Sequence, residues 1–275
     1  MASPRSGSLR RRTLYGLKRA PKAFYDQLTA YLEEIGYTRS ANDRCLFHRR
    51  FEDGKQIMFC IHVDDFAVAA SDNSLIDDLV TALKLKYIIK ESEFLEDFLG
   101  VHMEQVDGRL HLSQPGLIKK LITTAELQDS KRSVRIPMRT DWDEVEQDKA
   151  ARCEGGIFRT LLGMLIFLLR TRPDIAFAVN TLATRCAGAT LRDLDAIHEV
   201  ILYLKCTAHL ELSYNPADPD QCHTVGRLYG WADAAYACHR DGKSHSGMFL
   251  SYGLHGTGKF SSTSKKQSLV CLSLT

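Results

Sequence analysis

Ile61-His62-Val63-Asp64-Asp65-Phe66 is the stretch on which the reading of this chain turns: an apolar run ends in two adjacent aspartates, and a second apolar run leaves them. Residues 57–63 and 66–70 are rich in strand formers, and a connection of two residues is the length of a tight hairpin. The expectation is therefore a hairpin with Asp64 and Asp65 at its tip, two carboxylates side by side. Like charges this close are unfavourable unless a cation compensates them, which makes a divalent metal chemically sensible there. An ordinary acidic turn is the alternative, because aspartate also favours turns through local hydrogen bonds.

Working outward, residues 46–51 read as a strand joined to 57–63 across Glu52-Asp53-Gly54-Lys55, whose Asp-Gly is a hairpin signal. Upstream, residues 21–36 carry Pro21 at a helix start, apolar residues at helical spacing and Gly36 as a stop. Downstream, 74–87 read as a helix capped by Asp72-Asn73-Ser74. Strands over 95–104 and 109–112 meet at Val106-Asp107-Gly108-Arg109, and Pro115 opens a helix over 116–127. Apolar helices follow at 156–170 and 174–187, split at Arg172-Pro173-Asp174, with a third at 190–206. Residues 228–231 and 248–252 and a final segment after the glycine-rich stretch 253–259 read as strands of another sheet. No internal repeat is visible. The pattern is α+β to about residue 140, helical to about 210 and the opening of an α/β unit thereafter.

The chain has 275 residues, a formal net charge of +2, 44% hydrophobic and 25% charged residues, 18 glycines and 7 prolines. Those values exclude collagen-like, low-complexity and disulfide-scaffold classes, and the chain is too apolar for intrinsic disorder. Its longest apolar run, 161–169, contains Gly163 and ends at Arg170. A membrane span needs roughly 20 such residues, so a buried helix is expected and no membrane partner. No apolar stretch follows Arg10, Arg11 and Arg12, so no secretory leader is expected, and the 8 cysteines read as reduced thiols. Cys222-His223 and Cys238-His239 come nearest to a metal cluster. Adjacent strand residues point to opposite faces, so thiols and surface imidazoles are the simpler reading. Residues 1–25 hold Arg5, Arg10, Arg11, Arg12, Lys18, Arg19 and Lys22 and no acid, a density suited either to a polyanion or to a solvated terminus. Asp141, Asp143, Glu144, Glu146 and Asp148 mark an acidic linker, because like charges extend a chain.

Several blocks carry a resemblance. Leu14-Tyr15-Gly16-Leu17-Lys18-Arg19-Ala20-Pro21-Lys22-Ala23-Phe24-Tyr25, His62-Val63-Asp64-Asp65, Phe98-Leu99-Gly100-Val101, Leu112-Ser113-Gln114 and Ile136-Pro137-Met138 occur in that order. Thr171-Arg172-Pro173-Asp174-Ile175-Ala176-Phe177-Ala178-Val179, Tyr203-Leu204-Lys205-Cys206-Thr207 and Tyr229-Gly230-Trp231-Ala232-Asp233-Ala234-Ala235-Tyr236 follow. Lys243-Ser244-His245-Ser246-Gly247 and Ser264-Lys265-Lys266-Gln267 complete the series. In identity, order and spacing these blocks resemble copia-type retrotransposon reverse transcriptases and the ribonuclease H domain attached to them.

The resemblance implies a partial right-hand polymerase palm over 14–104 behind a basic, unstructured stretch at 1–13. It implies a thumb-like region over 105–140, the acidic linker over 141–155 and a helical connection over 156–215. The N-terminal part of a ribonuclease H-like domain would occupy 222–275. Asp64 and Asp65 would be catalytic and hold Mg2+ (or Mn2+), and Asp233 would be the first metal ligand of the second site. Tyr15, Gly16 and Lys18 would lie near the incoming nucleotide or template. Lys90 is a candidate pyrophosphate proton donor, or a solvated lysine.

The implied activity is RNA-directed DNA synthesis from an RNA template, a DNA primer and dNTPs, within a polyprotein. Its setting would be a cytoplasmic virus-like particle or the nucleus. Against the family pattern, residues 1–13 hold no acid to serve as the third palm carboxylate, and the ribonuclease H glutamate would fall beyond Thr275. His62 replaces an aromatic residue, Ala235 an aspartate, and Glu93 stands where glycine is usual. The chain is therefore expected to be truncated at both ends and impaired in polymerisation, or else a non-catalytic relic or co-opted nucleic-acid-binding fragment.

Overall fold

Strand and helix alternate early in the chain because its apolar spacing switches between two and three-to-four residues. The computed structural model describes residues 20–63, 65–89, 97–139, 151–153, 155–214, 228–239, 241–253 and 258–268. The fold is mixed helix and strand, and it divides between residues 95 and 96 into two compact units.

The first unit runs α1 (Ala20–Glu34), β1 (Thr38–Arg39), β2 (Leu46–Arg50), β3 (Gln56–His62), β4 (Asp65–Ala70) and α2 (Asn73–Lys84). Its four strands form one antiparallel sheet in the order β1-β2-β3-β4. Along β3 burial alternates strictly, with Ile57, Phe59 and Ile61 inside and Gln56, Met58 and His62 outside, as one covered face requires. The cover is helical: Leu28, Tyr31 and Leu32 of α1 and Leu75, Leu79 and Leu83 of α2 are all buried in the same cluster. Gly36, at φ +93, ends α1 in a left-handed conformation, where Tyr37 N–H donates to Leu32 O at 3.0 Å. Asp72 caps α2 by accepting from Ser74 N–H at 2.9 Å, and Lys55 Nζ lies 2.7 Å from its other oxygen. The Lys55 hydrogen bond, followed by those from Ser74, holds the Asp72 carboxyl well below the usual carboxylate range.

The second unit opens with β5 (Asp97–Phe98), β6 (Val101–Val106), β7 (Arg109–Ser113) and α3 (Pro115–Thr124). A helical section follows: α4 (Gly155–Leu168), a 3-10 turn at Pro173–Ile175, α5 (Ala176–Ala183) and α6 (Leu191–Cys206). It closes with β8 (Leu212–Tyr214), β9 (Tyr229–Ala235), β10 (His245–Ser251) and β11 (Lys259–Lys266). Two antiparallel sheets result, β5-β6-β7-β8 and β11-β10-β9. Phe158, Leu161, Leu162, Leu165 and Leu168 of α4 share one core with Ile197, Val200, Ile201 and Leu204 of α6 and with Ile118 and Leu121 of α3. A reciprocal cap starts α6: Thr190 Oγ1 accepts from Asp193 N–H, and Asp193 Oδ2 accepts from Thr190 N–H at 2.8 Å.

Four sequence expectations shift in this frame. The strand read over 95–104 is broken at Leu99-Gly100, with φ 54 and 76, so Phe98 pairs back onto Val101 in a two-residue hairpin. The thumb boundary expected at 104/105 falls inside β6. Residues 212–214, assigned to the end of the helical connection, are a strand paired with β7. The helix expected over 174–187 begins as a 3-10 turn at Pro173–Ile175 and continues as α-helix only over Ala176–Ala183.

Candidate active site

The hairpin of β3 and β4 forms as expected, with one correction at its tip. His62 pairs with Asp65, so Asp65 is the first residue of β4 rather than part of the tip. The physical reason is register: pairing Ile61 with Phe66 keeps both on the covered face, and a one-residue slip would turn Phe66 outward. Phe66 accordingly lies 6.0 Å from Phe59 between ring centroids, which in turn stacks on Phe47 at 5.6 Å. Asp65 and His62 share the opposite, exposed face.

Val63 sits at φ 55 in this connection and is 59% exposed. A β-branched residue pays for the left-handed region, and little apolar burial offsets that cost. Val63→Asn is expected to stabilise the chain by about 0.5–1 kcal/mol, because asparagine tolerates that conformation. Thermal or urea unfolding checks it, and an unchanged midpoint would show that the hairpin adapts to valine without strain.

Asp64 lies outside the described residues, as do Tyr15, Gly16, Lys18 and Lys90. Among the described residues no three His, Cys, Asp or Glu side chains converge as a metal would require. The oxygen chemistry of Asp65 suits a hard dication, but this one described carboxylate does not make a Mg2+ centre. In the sheet order β4 is terminal, so among the described residues its outer edge has no strand beside it.

Asp233 stands on β9 in the second unit, exposed, opposite Gly247 of β10, which is itself opposite Ser264 of β11. Its Oδ1 accepts from Ala234 N–H at 2.8 Å. β9 is likewise a terminal strand of its sheet.

Sequence reasoning quoted other blocks without finding what they do. Gln114, 3% exposed, donates from Nε2 to Gly100 O at 3.0 Å and accepts from Thr171 Oγ1 at 2.9 Å. Arg170 Nη1 donates to Leu99 O at 3.1 Å. Arg172 forms a fork onto Asp174, with Nε to Oδ1 at 3.0 Å and Nη2 to Oδ2 at 2.7 Å. The same guanidinium donates to Thr207 O at 3.0 Å and to Thr207 Oγ1 at 2.7 Å, while Tyr203 O–H donates to Asp174 Oδ2 at 2.8 Å. Four sequence blocks thus meet as one buried polar node that ties the β5–β8 sheet to α4, α5 and α6. Long-range side-chain pairs of this kind leave no local sequence signal.

Comparison with known proteins gives this geometry its class. Residues 8–140 match the family described as reverse transcriptase (RNA-dependent DNA polymerase). The kin within that class are copia-type transposons. The chain is 31% identical over 266 residues, 96% of its length, to the retrovirus-related Pol polyprotein from transposon RE1 of Arabidopsis thaliana. It is 32% identical over 198 residues, 72% of its length, to that from transposon RE2 of the same plant. It is 24% identical over 273 residues, 96% of its length, to that from transposon TNT 1-94 of Nicotiana tabacum. The chain spans 17%, 13% and 20% of these three polyproteins. No solved structure matches it. Among the described residues no helix is long and apolar enough to cross a membrane.

Proposed function

We propose that the chain supplies the carboxylate hairpin of an RNA-directed DNA polymerase, with Asp64 and Asp65 as the pair that holds Mg2+ or Mn2+ for nucleotidyl transfer. One observation carries the reading. Within the segment that matches the reverse transcriptase family, the His62–Asp65 pairing beside the Phe59–Phe66 contact sets Asp65 on the exposed face of the sheet. The bound metal would activate a primer 3′-hydroxyl and stabilise the leaving pyrophosphate. The chain's own residues then have two tasks: to keep the carboxylates adjacent, and to leave the β4 edge open for a further strand. Tyr15, Gly16 and Lys18 would face the dNTP or template, Lys90 the pyrophosphate, and the rest of a polyprotein would complete the site. Asp233 on β9 would be a ligand of a second, ribonuclease H-like centre acting on the RNA of a hybrid. The setting would be a cytoplasmic virus-like particle or the nucleus.

Primer extension on an RNA template with Mg2+ or Mn2+ tests the proposal, with Asp64→Asn/Asp65→Asn as the control. Extension by the wild-type chain that vanishes in the double variant supports it, and extension that persists in the variant overturns it. A second reading, binding without catalysis, is favoured by the basic residues Arg5, Arg10, Arg11, Arg12, Lys18, Arg19 and Lys22, which no acid accompanies within residues 1–25. It expects no extension from either protein, together with binding to primer–template that falls steeply with salt and is indifferent to the aspartates.

A further inference from the structure

The most unusual polar geometry outside the carboxylate sites lies where β10 begins. His245 is 6% exposed, and its Nδ1 meets His239 Nε2 at 3.0 Å, while its Nε2 lies 2.7 Å from Ser264 Oγ. The turn that presents His239 is closed by His239 N–H on Lys243 O at 3.1 Å and by Gly242 N–H on His239 O at 2.8 Å. The edge of Phe177 holds the His245 ring at 4.9 Å between centroids. We propose that His239 and His245 form a two-imidazole binding site for a borderline transition dication, Zn2+, Cu2+ or Ni2+.

Three features support the assignment. Two nitrogens bound at about 2.0–2.1 Å in a tetrahedral shell stand about 3.3–3.4 Å apart, so the pair admits an ion by opening a few tenths of an ångström and turning both rings off the direct N···N line. When Ser264 Oγ accepts from His245 Nε2–H, the tautomer is the one whose Nδ1 lone pair points at His239. Such a second partner on the far nitrogen is the usual support of a metal-binding histidine. His245 is buried, and its ring is held between His239 and Ser264, so one of the two donors is already oriented.

Lys243, in the turn that presents His239, lies 3.6 Å from Asp241. Lys266, opposite His245 in the sheet, is paired with Asp241 at 2.9 Å. Two protein ligands leave the remaining positions to water, and imidazole donors disfavour Mg2+. The site is thus chemically distinct from the oxygen-based centre proposed for Asp64 and Asp65.

The test is a Zn2+ titration of the full chain followed in two-bond proton–nitrogen spectra of its imidazoles. This resolves the site from the other histidines and the cysteines. At one equivalent, His245 Nδ1 and His239 Nε2 are expected to move together. His239→Gln, at a partly exposed position, is expected to abolish the shift at His245 Nδ1 without unfolding the chain. Ser264→Ala is expected to weaken binding by about tenfold or more. Mg2+ is expected to move neither resonance. The proposal is overturned if Zn2+ leaves both nitrogens unmoved, or if His245 Nδ1 responds equally in the His239→Gln chain.

Discussion

Asp174→Ala is expected to cost the second unit about 3 kcal/mol of stability, more than any other single polar change in it. The carboxylate accepts a bidentate fork from Arg172 and a hydrogen bond from the Tyr203 hydroxyl. Its loss strands a guanidinium that is only 2% exposed. Removing one partner of a buried ion pair costs about 3–5 kcal/mol, because the charge left behind has neither water nor a counter-charge. The Asp174 side chain is 33% exposed, and Thr207 still accepts twice from Arg172, which sets the expectation at the lower end. Asp174→Asn keeps the shape and one acceptor and should lose less. Arg172→Met with Asp174→Leu removes both charges and should recover most of the loss. Urea midpoints at constant slope measure all three. A loss below about 1 kcal/mol in Asp174→Ala, or a double change no better than the single one, would mean that the node is not what ties the unit together.

The sequence made the local parts of this picture visible, and the non-local parts lay beyond it. Asp53-Gly54 and Asp107-Gly108 announced their hairpins because glycine and aspartate carry turn chemistry in their own backbone preferences. Leu99 sits at φ 54 in an equally tight turn, and leucine advertises nothing of the sort. The Asp-Asp hairpin was legible as a hairpin. That Asp65 belongs to β4 was not, because it depends on Ile61 finding Phe66 across the ladder. β8 is three residues long and pairs with β7 about a hundred positions earlier, so neither period nor spacing could reveal it. The polar node follows the same rule. Gln114 and Thr171, or Arg172 and Thr207, could be quoted as parts of family blocks, but their partnership exists only once the sheet and helices are packed. His239 was read with Cys238 against a second Cys-His pair, whereas its partner is His245, six residues on across a turn. Of the carboxylates chosen from sequence, the described residues show Asp65 and Asp233, each exposed at a terminal strand of its sheet. Chemistry at such an edge depends on what pairs there, which the residues of the edge do not encode.

That dependence makes the layer beneath the hairpin the part of the candidate site the chain supplies itself, and Phe59→Ala tests it. Phe59 is 1% exposed and central to the first unit, with ring centroids at 5.1 Å from Tyr37, 5.6 Å from Phe47 and 6.0 Å from Phe66. Truncating a buried phenylalanine costs about 3–5 kcal/mol, and the loss of three aromatic neighbours places this site toward the top of that range. Phe59→Leu, which keeps most of the volume, should cost only about 1–2 kcal/mol. The effect should reach the hairpin without touching a carboxylate. The His62–Asp65 pairing is held in register by Ile61 and Phe66, and Phe66 packs on the removed ring. Amide exchange along β3 and β4 should therefore accelerate in Phe59→Ala by more than in Phe59→Leu. Any primer extension that depends on Asp64 and Asp65 should fall in the same order. If β3 and β4 amides stay protected in Phe59→Ala while urea unfolding shows the full loss, the hairpin draws its register from the ladder hydrogen bonds alone, and the aromatic layer is ballast rather than platform.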